Sequence, residues 1–130
     1  MQLRDDKLSI DFPNHWGLFG GTIESGESVC EAACRELEEE IELHVLPKEI
    51  VEFRHYSRSN YRVHTCFYHL KTPISKLDLQ EGVDFGLFSI NEILTGRLLS
   101  QKLNAIFPVA DPLIGYFRDV SNIDKRANIL

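Results

Sequence analysis

No stretch of this chain approaches the roughly 18 consecutive apolar residues that a membrane-spanning helix needs, and no charged-then-apolar segment of the secretory kind opens it. A membrane is therefore not an expected partner, and the expected compartment is the cytoplasm. Cysteine is scarce, with three residues and no C-x-x-C pair. Cys30 and Cys34 are expected to be small core residues in a reducing environment, neither disulfides nor zinc ligands. Basic residues are also short, 14 against 20 acids, for a formal net charge of −6. A general nucleic-acid binder would carry a basic patch, so that class is set aside. Small polyanionic substrates stay open, provided metal ions mask the local charge. Repeats, low-complexity tracts and linkers are absent too. Residues 1–130 read as a single domain long enough to bury a core.

What is present is concentrated between Gly20 and Leu43. A glycine pair leads to a turn, Glu24-Ser25-Gly26-Glu27, and then to a helix bearing Arg35, Glu36, Glu38, Glu39, Glu40 and Glu42. Two carboxylates about 5 Å apart in a cleft repel by roughly 3 kcal/mol at an effective dielectric near 20. A hard divalent cation would offset that. At about 100° per residue, Glu40 lies about 40° to one side of Glu36 and Glu39 about 60° to the other. These three acids share one face. Cys30, Ala33, Cys34, Leu37 and Ile41 fall in a separate apolar arc suited to a core, and Glu31, Glu38 and Glu42 point away from both as solvated acids.

This segment resembles the Nudix box, G-x5-E-x7-R-E-U-x-E-E-x-G-U with U aliphatic. Gly21 opens it, Glu27 follows, and Arg35-Glu36-Leu37-Glu38-Glu39-Glu40-Ile41 leads to Leu43. Glu42 stands where the family has glycine. A glycine there takes the left-handed conformation that ends a helix, so glutamate is expected to cost about 1 kcal/mol or to end the helix differently. Upstream, Trp16-Gly17-Leu18-Phe19-Gly20-Gly21 stands where the family commonly has W-x-x-P-G-G.

Elsewhere the chain shows a compatible order of elements. Met1–Arg4 reads as the end of a strand, residues 5–14 as a polar loop and His15–Phe19 as a short strand. The N-terminal strand is short or missing against the family, leaving an edge that a partner strand or dimerisation would close. Residues 49–56 and 61–71 read as a hairpin around the loop 57–60. Its alternation puts His64 and His69 on opposite faces, so His55, His64 and His69 are not expected to share a metal. Leu79–Ser89 resembles a later family segment that places Glu81 near the metals of mutator-type members. Ser89-Ile90-Asn91-Glu92 is a capping box for a helix ending at Gly96. Asp111-Pro112 opens a last helix with Leu113, Ile114, Phe117 and Val120, and residues 121–130 show no pattern.

Strand, helix, hairpin, strand and helix in this order indicate the α+β class. The resemblance implies the Nudix fold, an α/β/α sandwich around a mixed sheet. It implies an enzyme that hydrolyses a nucleoside diphosphate linked to another group X, using magnesium or, in its place, manganese. By position, Glu39 and Glu40 with the Gly20 carbonyl are metal ligands, and Glu36 is a ligand or the general base. Glu81 is a second candidate for the base, or an extra ligand. Arg35 would orient a box carboxylate, and Gly21 and Glu27 would shape the loop behind it. Arg54, Tyr61 and Arg62 are candidate substrate contacts. The alternative class is a nucleotide-binding or sensor module that has lost catalysis, though such modules usually lose box carboxylates and none is missing here.

Overall fold

The computed structural model describes residues 1–127, with side chains to residue 122. In chain order the elements are β1 (Gln2–Leu3), β2 (Trp16–Gly17), α1 (Val29–Ile41), β3 (Ile50–Arg58), β4 (Tyr61–Tyr68), β5 (Asp84–Phe85), α2 (Ile90–Ile93), β6 (Arg97–Ser100), β7 (Ala105–Pro108) and α3 (Asp111–Ala127). They divide between two compact units, Phe19–Gln80 and a unit made of Met1–Leu18 with the chain from Glu81 onward.

In the unit Phe19–Gln80, Ser28 caps α1. Its hydroxyl accepts the Glu31 N–H, and the Glu31 carboxylate accepts the Ser28 N–H at 2.8 Å. Glu31 is exposed, as expected, and it also completes a capping box. The other end closes on a left-handed cap. Glu42 adopts φ 51°, ψ 33°, a left-handed conformation glycine would take without strain. The helix lays Cys30, Ala33, Cys34 and Leu37 on a core of Ile41, Leu43, Val45 and Ile50, which Cys66 and Tyr68 also meet. Residues 78–80 return past the end of α1, where the N–H groups of Asp78 and Gln80 reach the carbonyls of Ile41 and Glu40. Acceptors that a helix end leaves open are filled in this way.

The hairpin runs from Ile50↔Tyr68 to Arg58↔Tyr61, so the loop expected at residues 57–60 contracts to Ser59 and Asn60. The register shifts between Glu52 and Arg54, leaving Phe53 as an extra residue.

In the other unit β1 lies in the middle of a three-stranded antiparallel sheet, ordered β2-β1-β5. The strand is short, as expected, but the open edge anticipated beside it is filled on both sides. Leu3, Trp16, Ile93, Leu98 and Val109 form the core. Phe88 meets the Trp16 ring edge-on at 4.9 Å, and the indole N–H donates to the Leu98 carbonyl. Buried Asp84 accepts from the Ser100 hydroxyl at 2.6 Å.

Ser89 and Glu92 form the expected capping box of α2. The hairpin β6–β7 carries no expectation from the sequence. Its strands are four residues long, and only Leu98 and Ser100 of β6 are buried, too brief an alternation to register. Helix α3 continues through residues 121–127, where the sequence shows no pattern. Beyond the antiparallel ladders, one parallel bridge joins Trp16 to Val109. The α+β class read from the order of elements is met.

Candidate active site

Arg35 is the centre of the box. Its Nε donates to Glu27 Oε1 at 2.8 Å and its Nη2 to Glu27 Oε2 at 3.1 Å, a two-point grip on one carboxylate. Nη1 reaches Glu36 Oε1 at 2.8 Å and Glu39 Oε2 at 3.2 Å, while Nη2 also holds the Thr22 carbonyl at 2.9 Å. One guanidinium therefore ties the loop to three acids of the box. The Arg35 hydrogen bond, with a second from the Glu24 N–H, holds the Glu27 carboxyl below the usual carboxylate range. The same bonds, to Glu27 first and then Glu36, push Arg35 further toward permanent charge.

The loop is shaped to match. The Glu27 N–H bonds the Glu24 carbonyl, closing the turn read from the sequence, and the Glu24 N–H returns to Glu27 Oε2. Gly21 leaves room for the Glu36 carboxylate. A methyl group there would strike the Glu36 carboxylate, which Arg35 holds in place. Glu40 takes another course, for its Oε2 accepts the Gly20 N–H at 2.8 Å and the residue is only 3% exposed.

The acid trio is thus divided, with Glu36 and Glu39 on Arg35 and Glu40 under the glycine main chain. The donors suit a hard cation. All are oxygens, Arg35 takes one oxygen each from Glu36 and Glu39, and the Glu39 side chain is 59% exposed. Carboxylate oxygens and a main-chain carbonyl are the ligands magnesium and manganese prefer.

The strand pairing sets Arg54 and Tyr61 on one face of the hairpin and Arg62 on the other. Arg54 pairs with Thr65, four residues from Tyr61 and so about 13 Å along the strand. Its guanidinium lies over the Phe53 ring at 5.4 Å. These three residues do not form one patch. Glu81 belongs to the other unit, where it lines a polar pocket with Gln2, Arg4, Asp5, Lys7 and Gly82.

Sequence reading missed one constellation. Among the described residues, Glu52, His55 and His64 bring one carboxylate oxygen and two ring nitrogens within 4.8 Å of one another. The bulge at Phe53, which aligns Glu52 with His55, could not be read from the sequence, and His69 lies beyond the end of β4.

A family model described as NUDIX domain matches residues 4–106, a span that takes in the box, the hairpin and Glu81. No curated protein and no solved structure matches the chain. With more than half of its length matched, and a box whose acids are gathered on Arg35 and the Gly20 main chain, this chain belongs to the Nudix family.

Proposed function

We propose that the protein is a divalent-metal-dependent hydrolase of nucleoside diphosphates linked to a further group X, with nucleoside triphosphates and nucleotide sugars as the substrate classes. The observation that carries this reading is the Arg35 assembly. Every carboxylate of the box is retained, and one guanidinium sets Glu27, Glu36 and Glu39 against the glycine loop. Glu36, Glu39 and Glu40, with the Gly20 carbonyl, would hold magnesium or manganese. When bound, the ion supplies Lewis-acid neutralisation of phosphoryl oxygens and a water of lowered pKa.

The chain's own groups do the rest. A water oxygen forms a bond to a phosphorus of the diphosphate. The bond from that phosphorus to its leaving oxygen breaks, and the leaving group departs with its own phosphate. Glu36 accepts the proton of the attacking water. Arg35 does not touch substrate; it fixes the carboxylates' positions. Arg62 and the pair Arg54 and Tyr61 face opposite sides of the hairpin, so a single small substrate is met from one side only.

The test is release of phosphate or pyrophosphate from a panel of nucleoside triphosphates, nucleotide sugars and dinucleoside polyphosphates, with and without magnesium. Magnesium-dependent turnover of one class is expected, falling by about 10²-fold or more in Glu39→Gln. Binding of the same nucleotides with no turnover under any metal would replace the enzyme by a sensor module.

A further inference from the structure

The hairpin β3–β4 holds a constellation that the box chemistry does not use. In an unbroken strand, residues three apart point to opposite faces. The extra residue at Phe53 resets the alternation, so Glu52 and His55 point the same way. Across the ladder His55 stands directly opposite His64, whose side chain shares that face with Glu52. The two imidazole rings lie 5.7 Å apart between centroids, and His64 Nδ1 is 2.7 Å from Glu52 Oε1.

Burial does not account for this arrangement. Glu52 and His55 are exposed and His64 is half-buried, so the meeting of these three polar side chains is not one that burial enforces. Bulges re-aim side chains in this manner beside functional sites.

We propose that Glu52, His55 and His64 form a second metal site, built for a transition ion of the zinc class and independent of the acidic box. Two neutral imidazoles and a carboxylate are the ligand set of open zinc centres, in which a fourth position stays with water. Magnesium demands oxygen ligands and is poorly served by imidazole. Tetrahedral zinc with bonds of about 2.0–2.1 Å sets its ligand atoms about 3.3 Å apart. The three atoms here already lie within 4.8 Å of one another, so small side-chain rotations close the site. The 2.7 Å bond between Glu52 and His64 opens slightly to admit the ion. The paired strands supply the rigid support that a three-ligand site on loops would lack.

The experiment is calorimetric titration of the full chain with zinc chloride in excess magnesium, repeated with cobalt(II) to track its visible absorption. One zinc per chain is expected. His55→Ala, an exposed change that leaves the core untouched, should weaken zinc binding by more than about 100-fold, beyond what the loss of a supporting partner costs. His64→Ala should do the same, while Glu39→Gln should leave zinc affinity as it was. Three results overturn the site: no zinc uptake beside magnesium, uptake unchanged in His55→Ala (which would trace it to Cys30, Cys34 or Cys66), or uptake abolished by Glu39→Gln. Because the box variant and the hairpin variants are read separately, failure here leaves the proposed hydrolase standing, and the reverse holds as well.

Discussion

At the scale of single residues, Glu42 and the pair Glu49–Lys71 show how local physics is settled by neighbours. Glu42 holds φ 51°, a conformation that costs a residue with a Cβ roughly 1–2 kcal/mol. Glu42→Gly should therefore raise the unfolding free energy by about 1 kcal/mol in urea titration, with the box ligands untouched. Lys71 Nζ donates to Glu49 Oε1 at 2.6 Å. That bond, followed by one from the Leu46 N–H, holds the Glu49 carboxyl below its ordinary range, and it raises Lys71. The contribution of Glu49 is complete above its unfolded value of about 4.3 and disappears as pH falls through its lowered folded value. Lys71 contributes fully below about 10.4, and that contribution disappears as pH rises through its raised value. Lys71→Ala should return the NMR titration midpoint of Glu49 upward, toward the ordinary range.

At the scale of elements, α1 and the hairpin β3–β4 carry the chemistry in different ways. Helix α1 is fixed at its start by the reciprocal bonds of Ser28 and Glu31. Ser28→Ala should cost about 1 kcal/mol of stability in denaturant unfolding, and Glu31→Gln should cost less, since an amide can still close the box. The periodicity of α1 is legible in the sequence, because a helix repeats at 3.6 residues and every residue's direction comes from its number. Direction was not enough to say what each acid touches. Glu40 shares a face with Glu36 and Glu39, yet only Glu40 turns under the Gly20 N–H. In the hairpin, His69 falls beyond the end of β4, so the strand's alternation does not reach it. The bulge at Phe53 depends on how two strands pair, and no pattern within β3 alone announces it.

At the scale of the whole molecule, an excess of acid is tolerable when cations join the folded state. The net charge is −6, and six of the acids are crowded into one short stretch of chain: Glu36, Glu38, Glu39, Glu40, Glu42 and Glu49. An ion that binds only the folded chain stabilises it by mass action, about 2.7 kcal/mol at 100 times its dissociation constant. Magnesium should accordingly raise the thermal midpoint in a concentration-dependent way, and Glu39→Gln should blunt that rise. The order of elements around α1 was also legible at this scale. The pairing of β1 was not, because a two-residue strand has no periodicity of its own, and its neighbours β2 and β5 come from residues 16–17 and 84–85.

What the amino-acid order determined by itself was the family and the helix that bears the acids, since these rest on fixed spacings along one regular element. Only the tertiary structure decided that Arg35 also grips Glu27 across the turn, that Glu40 is withdrawn under Gly20, and that Glu52, His55 and His64 meet. Those contacts join positions whose separation along the chain says nothing of their separation in space. Loop closure and strand register bring them together, and both are set by packing across the chain.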